Sequence, residues 1–111
     1  MKRAIETTDK IISLLVSGKY EDIQRMTGGI RLKAGDMKKA IDTYGKTLVP
    51  PPKGALDFLD LIEVVNSDPP QWSIRVPLWT REEGRSDLTL EITVIETETG
   101  CLVEVDGIHV L

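Results

Sequence analysis

The single cysteine and the single histidine are the residues of this sequence best suited to serve as nucleophile and base. Cys101 lies beside a predicted turn, and His109 lies in the last predicted strand. The thiolate is the reactive form of cysteine, and the acidic neighbours Glu98 and Glu104 disfavour it. No serine stands in a nucleophile-elbow motif either. The sequence therefore predicts no catalytic residues, and we interpret Cys101 as a small strand residue.

Metal and cofactor sites would need more ligands than the sequence supplies. Zinc sites use three or four clustered His, Cys, Asp or Glu ligands, whereas Asp106 and His109 form only a pair. We interpret them as a solvated carboxylate beside a surface imidazole. The glycines of TGGIRLKAGD stand near Arg31 and Lys33, but their spacing matches neither a Walker motif nor a dinucleotide-binding motif. We predict no metal and no cofactor.

The stretch PLWTREEGRSDLTLEI combines a tryptophan with closely spaced charges. Tryptophan and arginine are enriched at the energetic centres of protein interfaces. A partner-binding site on this stretch and the strand before it would contain Trp79, Arg75, Glu91, Arg81 and Arg85. In the alternative interpretation, Trp79 packs over Pro77 and the adjoining turn, and only stiffens a β-hairpin.

A second set of residues predicts a different kind of site, a small-ligand pocket. Tyr20 or Tyr44 would act there with a carboxylate such as Asp60 or Glu63. An apolar cavity that holds such groups suits a ligand, or an acid that is desolvated for catalysis. This pocket would lie between a layer of helices and a sheet, both of which the residue patterns predict.

Helical periodicity dominates the first half of the sequence. Apolar residues recur at spacings of three and four, which predicts helices over residues 2–17, over a short segment that begins near residue 20, and over 34–44. Gly18, Gly28 and Gly45 come directly after these segments and are suited to end them in a left-handed conformation. The apolar faces of the three segments consist of Ile5, Ile12, Leu15 and Val16, widened by Ile11 and Leu14; Tyr20, Ile23 and Met26; and Met37, Ala40, Ile41 and Tyr44.

The prolines at 50–52 separate this half from a strand-rich half. Proline cannot continue a helix or sit in a central strand, so residues 48–54 are predicted to form a stiff connector. After it, FLDLIEVV, QWSIRVPLW, DLTLEITVIET and CLVEVDGIHVL are strand candidates. A proline-rich ligand for a recognition domain is the functional alternative for the connector.

The alternation in the two central strands predicts their register. If their apolar residues share the core face, Leu78 pairs with Leu88, Val76 with Leu90 and Ile74 with Ile92, around a five-residue tip at 81–85. On the opposite face this register sets Arg75 against Glu91, a favourable cross-strand pair, and leaves Trp79 outside the core.

The last strand changes parity part-way along. Val103 and Val105 share one face, whereas Ile108 and Val110 would point to the other. We therefore predict a bulge near Asp106 and Gly107 that turns Ile108 and Val110 back inward and leaves His109 outward.

The elements combine into an α+β fold. We predict a two-layer domain in which three N-terminal helices pack on one face of a three- to four-stranded antiparallel meander sheet. Residues 1–111 would form a single domain, with a helical half at 1–45, the connector at 48–54 and a sheet half at 56–111.

Composition narrows the classes of partner. The net charge is −4, and basic residues are scattered among acids, which disfavours nucleic acid. No apolar run is long enough for a membrane span, and one cysteine cannot form an internal disulfide. These features predict a cytoplasmic protein that binds neither nucleic acid, membrane nor metal.

Three stretches together resemble a known family: YGKTLVPPP, SDPPQWSIRVPLWTREEGRSDLTLEITV and VEVDGIHVL. The sequence is similar, from about Ile11 to Leu111, to a family of small uncharacterised bacterial single-domain proteins. This resemblance implies no activity, cofactor or catalytic residue. The order of helices and strands is also similar to cystatin-like and NTF2-like domains and to small immunity proteins of toxin systems, which is a fold-level likeness.

These features are compatible with two functional hypotheses. The first is a non-enzymatic protein-interaction module, of which an immunity-like protein is one form, that binds a protein partner or a second copy through the outward sheet face. The second is an NTF2-like small-ligand binder or enzyme with a pocket between helices and sheet.

Overall fold

The computed structural model describes residues 2–58 and 60–111 and has three helices followed by an antiparallel sheet. The helices are α1 (Lys2–Val16), α2 (Tyr20–Thr27) and α3 (Ala34–Tyr44). The strands are β1 (Leu48–Val49), β2 (Asp60–Glu63), β3 (Gln71–Thr80), β4 (Gly84–Thr97) and β5 (Gly100–Val110), with a 3-10 helix at Ala55–Phe58 before β2. The predicted α+β class is confirmed.

Local sequence signals set the helix bounds. In α1, Ala4, Ile11 and Leu15 are buried at helical spacing, so one face of the helix is apolar. Gly28 and Gly45 end α2 and α3 with φ of +73° and +76°, a conformation that costs little without a side chain. The three predicted helices are confirmed, and every helix end that the sequence predicted lies within one residue of the observed end.

The sheet has five strands, in the order β1-β3-β4-β5, and β2 also pairs with β3. β1 lies beside Trp79 and Thr80, and β2 lies beside residues 72–75 of the same strand. The predicted number of three to four strands is therefore too low, because the described residues form five. Leu48 and Val49, at the start of the predicted connector at 48–54, form a short strand. The prolines after it have no N–H to donate, which fits the end of β1 after two residues.

The hairpin of β3 and β4 has the predicted register along most of its length. Ile74 pairs with Ile92, Arg75 with Glu91 and Val76 with Leu90, as predicted. Closer to the tip the register shifts, Trp79 pairs with Arg85, and Thr80 pairs with Gly84. The predicted pairing of Leu78 with Leu88 and the predicted five-residue tip are thus wrong.

The buried hydroxyl of Ser86 accounts for this shift. It donates to the carbonyl oxygen of Leu78 at 2.7 Å and accepts from the N–H of Leu88 at 3.2 Å. Side-chain bonds of this kind replace ladder bonds where a strand is bulged. The tip is consequently three residues long, from Arg81 to Glu83.

The predicted bulge in β5 is confirmed. Glu91 pairs with Gly107 and Ile92 with Val105, which leaves Asp106 as the extra residue. Beyond the bulge Ile108 is buried and His109 is exposed, as predicted. Val110 has the inward parity but is 57% exposed.

Buried side chains from both halves form one apolar cluster, which includes Ile11 and Leu15 of α1 and Leu90 and Ile92 of β4. α1 contacts β4 and β5, and α2 and α3 contact β5. The β3 and β4 side chains that alternate with the core residues define the outer face of the sheet. This face carries Ser73, Arg75, Pro77, Trp79, Arg85, Glu91 and Thr93.

Candidate interaction site

A row of ionisable side chains, Arg75, Glu91 and His109, crosses three strands at the middle of the outer face. Arg75 Nε lies 3.3 Å from Glu91 Oε1, and His109 Nε2 lies 3.3 Å from the same oxygen. Gly107 pairs with Glu91, and a Cβ at Gly107 would lie 2.9 Å from His109 Nδ1. The glycine therefore leaves the space that the imidazole occupies beside Glu91. The predicted partner-binding residues Arg75 and Glu91 are already paired with each other.

A second charge cluster ties the loop after α2 to β5. Arg31 Nε lies 3.2 Å from Glu104 Oε2 and 3.0 Å from Asp106 Oδ1. The hydroxyl of Thr93 donates to Asp106 Oδ2 at 2.6 Å. The predicted pair of Asp106 and His109 is thus replaced by other partners, because Asp106 contacts Arg31 and Thr93 while His109 contacts Glu91.

The acidic residues of the hairpin tip point their carboxylates at the neighbouring elements. Glu82 accepts bonds from the backbone N–H of Thr47 at 2.8 Å and from its hydroxyl at 2.9 Å. Glu83 accepts a bond from the hydroxyl of Tyr44 at 2.7 Å and another from Thr80 at 3.2 Å. The tip is therefore fastened to α3 and to the residue before β1, which sequence reasoning missed because these contacts join residues far apart in the chain.

These bonds shift the pKa of two groups. The backbone N–H of Thr47, which donates to the Glu82 carboxylate, lowers the pKa of Glu82 from its ordinary value of 4.5. The bond to Glu83 raises the pKa of Tyr44 from its ordinary value of 10.0. The first shift favours the ionised carboxylate of Glu82, and the second favours the protonated hydroxyl of Tyr44. The bonds that attach the tip to its neighbours therefore form at neutral pH.

The contact between Glu82 and Thr47 predicts a pH-dependent stability. Because the folded-state pKa is lowered, the ionised carboxylate stabilises the fold above pH of about 4.5, and this is lost as the pH falls through the lowered pKa. We expect Glu82→Gln to melt at a lower temperature than the wild type at neutral pH, and the gap to narrow as the pH falls toward about 3. Differential scanning calorimetry between neutral pH and pH of about 3 measures the melting temperatures of the wild type and of Glu82→Gln.

The matched control is Glu98→Gln, which removes one negative charge from the exposed turn between β4 and β5. Its melting temperature is expected to stay at a constant offset from that of the wild type. A gap for Glu82→Gln that does not change with pH would contradict the assignment of the stabilisation to the Glu82 charge.

The arginines in and beside the tip differ from its acids in their contacts. Arg81 and Arg85 are exposed, and in the described part of the chain neither forms an ion pair. Trp79 is half-buried between its cross-strand neighbours Val49 and Arg85, and a Cβ at Gly84 would lie 3.8 Å from its Cζ3 atom. We name Val49, Trp79, Arg81 and Arg85 the tip patch. It combines an aromatic residue with two exposed arginines, one of which, Arg85, is its cross-strand neighbour.

Of the predicted pocket residues, the two tyrosines line different grooves. Tyr20 lines a groove with residues of α2 and α3, including Asp22, Arg25 and Lys38. Tyr44 lines a different groove, between α3 and the end of β5. Glu63 is exposed on β2, and the Asp60 side chain lies outside the described part.

Neither a metal site nor a membrane-spanning helix occurs in the described residues. Among the side chains that the structure describes, no three His, Cys, Asp or Glu residues come together as a metal site. None of the helices that the structure describes has the length and apolar character needed to cross a bilayer.

Comparison with known proteins places the chain in a family. A family model described as a domain of unknown function, DUF7668, matches residues 12–111. The chain belongs to the DUF7668 family. No curated protein and no solved structure matches the sequence. The predicted resemblance to an uncharacterised family is confirmed, and the family description leaves the function unknown. Bacterial membership and the cystatin-like and NTF2-like likenesses stay predictions.

Proposed function

We propose that the protein is a non-enzymatic interaction module that binds an acidic surface of a partner protein through the tip patch. The observation that carries this proposal is the division of charge at the hairpin tip. Glu82 bonds to Thr47, and Glu83 bonds to Tyr44 and Thr80, so both carboxylates are directed at neighbouring elements. Arg81 and Arg85 are exposed and form no ion pair within the described residues. Electrostatic complementarity then selects a negatively charged partner.

The tryptophan supplies the apolar part of this surface. Interface hot spots combine an aromatic anchor with arginine, and surrounding contacts exclude water. Trp79 has arginine beside it across the strand pair and Val49 on its other side. Its ring is held by the tip, so little conformational entropy is lost when a partner covers it.

The proposal includes a two-layer arrangement in which all three helices pack on one face and leave the outer face for binding. The burial pattern supports it, because Ile74, Val76 and Leu78 are buried while the alternating residues are not. Arg75 and Glu91 then fix the strands at the centre of the outer face and serve as the edge of the interface. In the immunity-like form of this hypothesis the partner is a toxin.

The experiment compares partner capture and affinity for matched variants. The wild type is compared with two variants, Trp79→Ala and the double variant Arg81→Glu with Arg85→Glu. Circular dichroism checks that each variant is folded. Proteins cross-linked to the wild type in its native cells are identified by mass spectrometry, and the purified partner is titrated. We expect the affinity to fall about 30-fold or more for Trp79→Ala, which corresponds to about 2 kcal/mol.

The control is Arg25→Glu, which reverses an exposed charge of α2 that is paired with Asp22. Its partner affinity should stay within about twofold of the wild type if the tip patch is the site. Higher salt should weaken binding of the wild type, since the contact involves charges. Sedimentation tests the case in which the partner is a second copy. Capture that is equal for all variants would refute the proposal.

The alternative hypothesis, a ligand binder with a pocket between helices and sheet, keeps one supporting observation. The groove beside α3 is apolar at its floor, and Tyr44 lines it. Tyr20 lines another groove and Glu63 is exposed on β2, so a ligand site in this groove would use Tyr44 without these two residues.

A further inference from the structure

A groove runs between α3 and the carboxyl-terminal part of β5. Its volume is about 670 Å³, within the range of about 300–1,000 Å³ that is typical of small-molecule sites. The floor is apolar and consists of Leu32, Ala40, Leu88, Ile108 and Val110. This groove is separate from the tip patch, so a ligand could bind in it whether or not a partner protein binds the tip patch.

A short side chain of α3, Ala40, helps to leave this groove open beside the end of the sheet. Met37 and Ile41 bury the core side of α3, whereas Ala40 lies toward the groove and is too short to fill it. Val110 pairs with buried Leu88 and so has the inward parity, yet it is 57% exposed. The sheet therefore presents apolar surface that the described residues leave uncovered.

The rim of the groove carries two charged side chains of opposite sign, Asp36 and Lys39, which differ in their contacts. Asp36 is occupied, because its carboxylate accepts the backbone N–H of Lys33 at the start of α3. The hydroxyl of Tyr44 donates to Glu83, and the imidazole of His109 lies beside Glu91. Lys39 also lines the groove, and in the part of the chain that the structure describes it forms no ion pair.

We propose that this groove binds a small amphipathic carboxylic acid. An alkyl chain would lie on the floor formed by Leu88, Ile108 and Val110, where it is removed from water. The carboxylate would lie at the rim, where Lys39 supplies a positive charge. Burial of each methylene group gives about 0.8 kcal/mol, so the chain accounts for most of the affinity and Lys39 selects the charged head.

The test is calorimetric titration of the intact protein with decanoate, and with decanol as the uncharged analogue. We expect decanoate to bind the wild type, and Lys39→Gln to bind it about three- to tenfold more weakly. Lys38→Gln is the matched control, because Lys38 is paired with Asp42 at 2.6 Å and lines a different groove. Its affinity should stay within about twofold of the wild type. Decanol should bind the wild type and Lys39→Gln equally.

Two further variants test the floor of the groove. Ala40→Trp fills the groove and should reduce decanoate binding more than tenfold. Val110→Glu places a carboxylate on the floor and should abolish decanoate binding. Because Val110 is exposed, this variant should stay folded, and it therefore tests the floor even if Ala40→Trp misfolds. The proposal is overturned if decanoate does not bind the wild type, if Lys38→Gln and Lys39→Gln lose affinity equally, or if the folded floor variants bind normally.

Discussion

Replacement of Leu90 by alanine is expected to lower the free energy of unfolding by about 2–5 kcal/mol. Leu90 is 0% exposed and lies in β4, between β3 and β5. The truncation removes buried methyl groups and leaves a cavity, which close-packed neighbours on two strands cannot readily fill. Urea unfolding followed by tryptophan fluorescence and circular dichroism measures the change.

The matched control is the same substitution on the other face. Leu102 pairs with Ile95 at the far end of the outer face and is 59% exposed. Leu102→Ala is expected to change the free energy of unfolding by no more than about 0.5 kcal/mol. An effect of Leu102→Ala as large as that of Leu90→Ala would mean that the outer face is covered, which would also remove the basis for partner binding there.

Local patterns were enough to predict the three helices and the four longer strands of this fold. The helix over 34–44 coincides with α3 (Ala34–Tyr44), because helical periodicity and a terminal glycine are both read within a few residues. The bulge at Asp106 was also predictable, since the parity of apolar residues changes there and only an extra residue restores it. These signals depend on neighbours in sequence.

The register at the hairpin tip was not predictable in the same way. Alternation alone favours a pairing of Leu78 with Leu88, and it gives no indication of the bonds that Ser86 makes to Leu78 and Leu88. β1 was missed for a similar reason. Two residues before a run of prolines show no periodicity, and Leu48 and Val49 form a strand only because β3 is there to pair with them.

The candidate sites depended still more on distant contacts. Trp79, Arg81 and Arg85 stood out by residue type, but what makes the arginines available is that Glu82 and Glu83 bond to Thr47 and Tyr44. The groove beside α3 had no sequence signal at all. A short side chain such as Ala40 leaves a gap only once the helix is packed beside the end of β5.

The bulge links the proposed groove to the ionisable row of the outer face. Asp106 is the extra residue of β5, and its position turns Ile108 onto the floor of the groove while His109 reaches Glu91 on the outer face. A substitution that loosens the bulge should therefore shift residues on both faces of the sheet, at the floor of the groove and in the ionisable row.

Asp106→Ala is accordingly expected to lower the free energy of unfolding by about 1–3 kcal/mol, because Thr93 loses its acceptor and Arg31 loses one of its two carboxylates. Asp106→Asn keeps an acceptor for Thr93 and should be destabilised less. Glu104→Gln, which removes the other carboxylate beside Arg31, is the control and should cost less than about 1 kcal/mol. Urea unfolding ranks the three variants, and amide chemical shifts of Ile108 and His109 report the bulge. Stability and shifts of Asp106→Ala equal to those of the wild type would show that the backbone alone fixes the bulge.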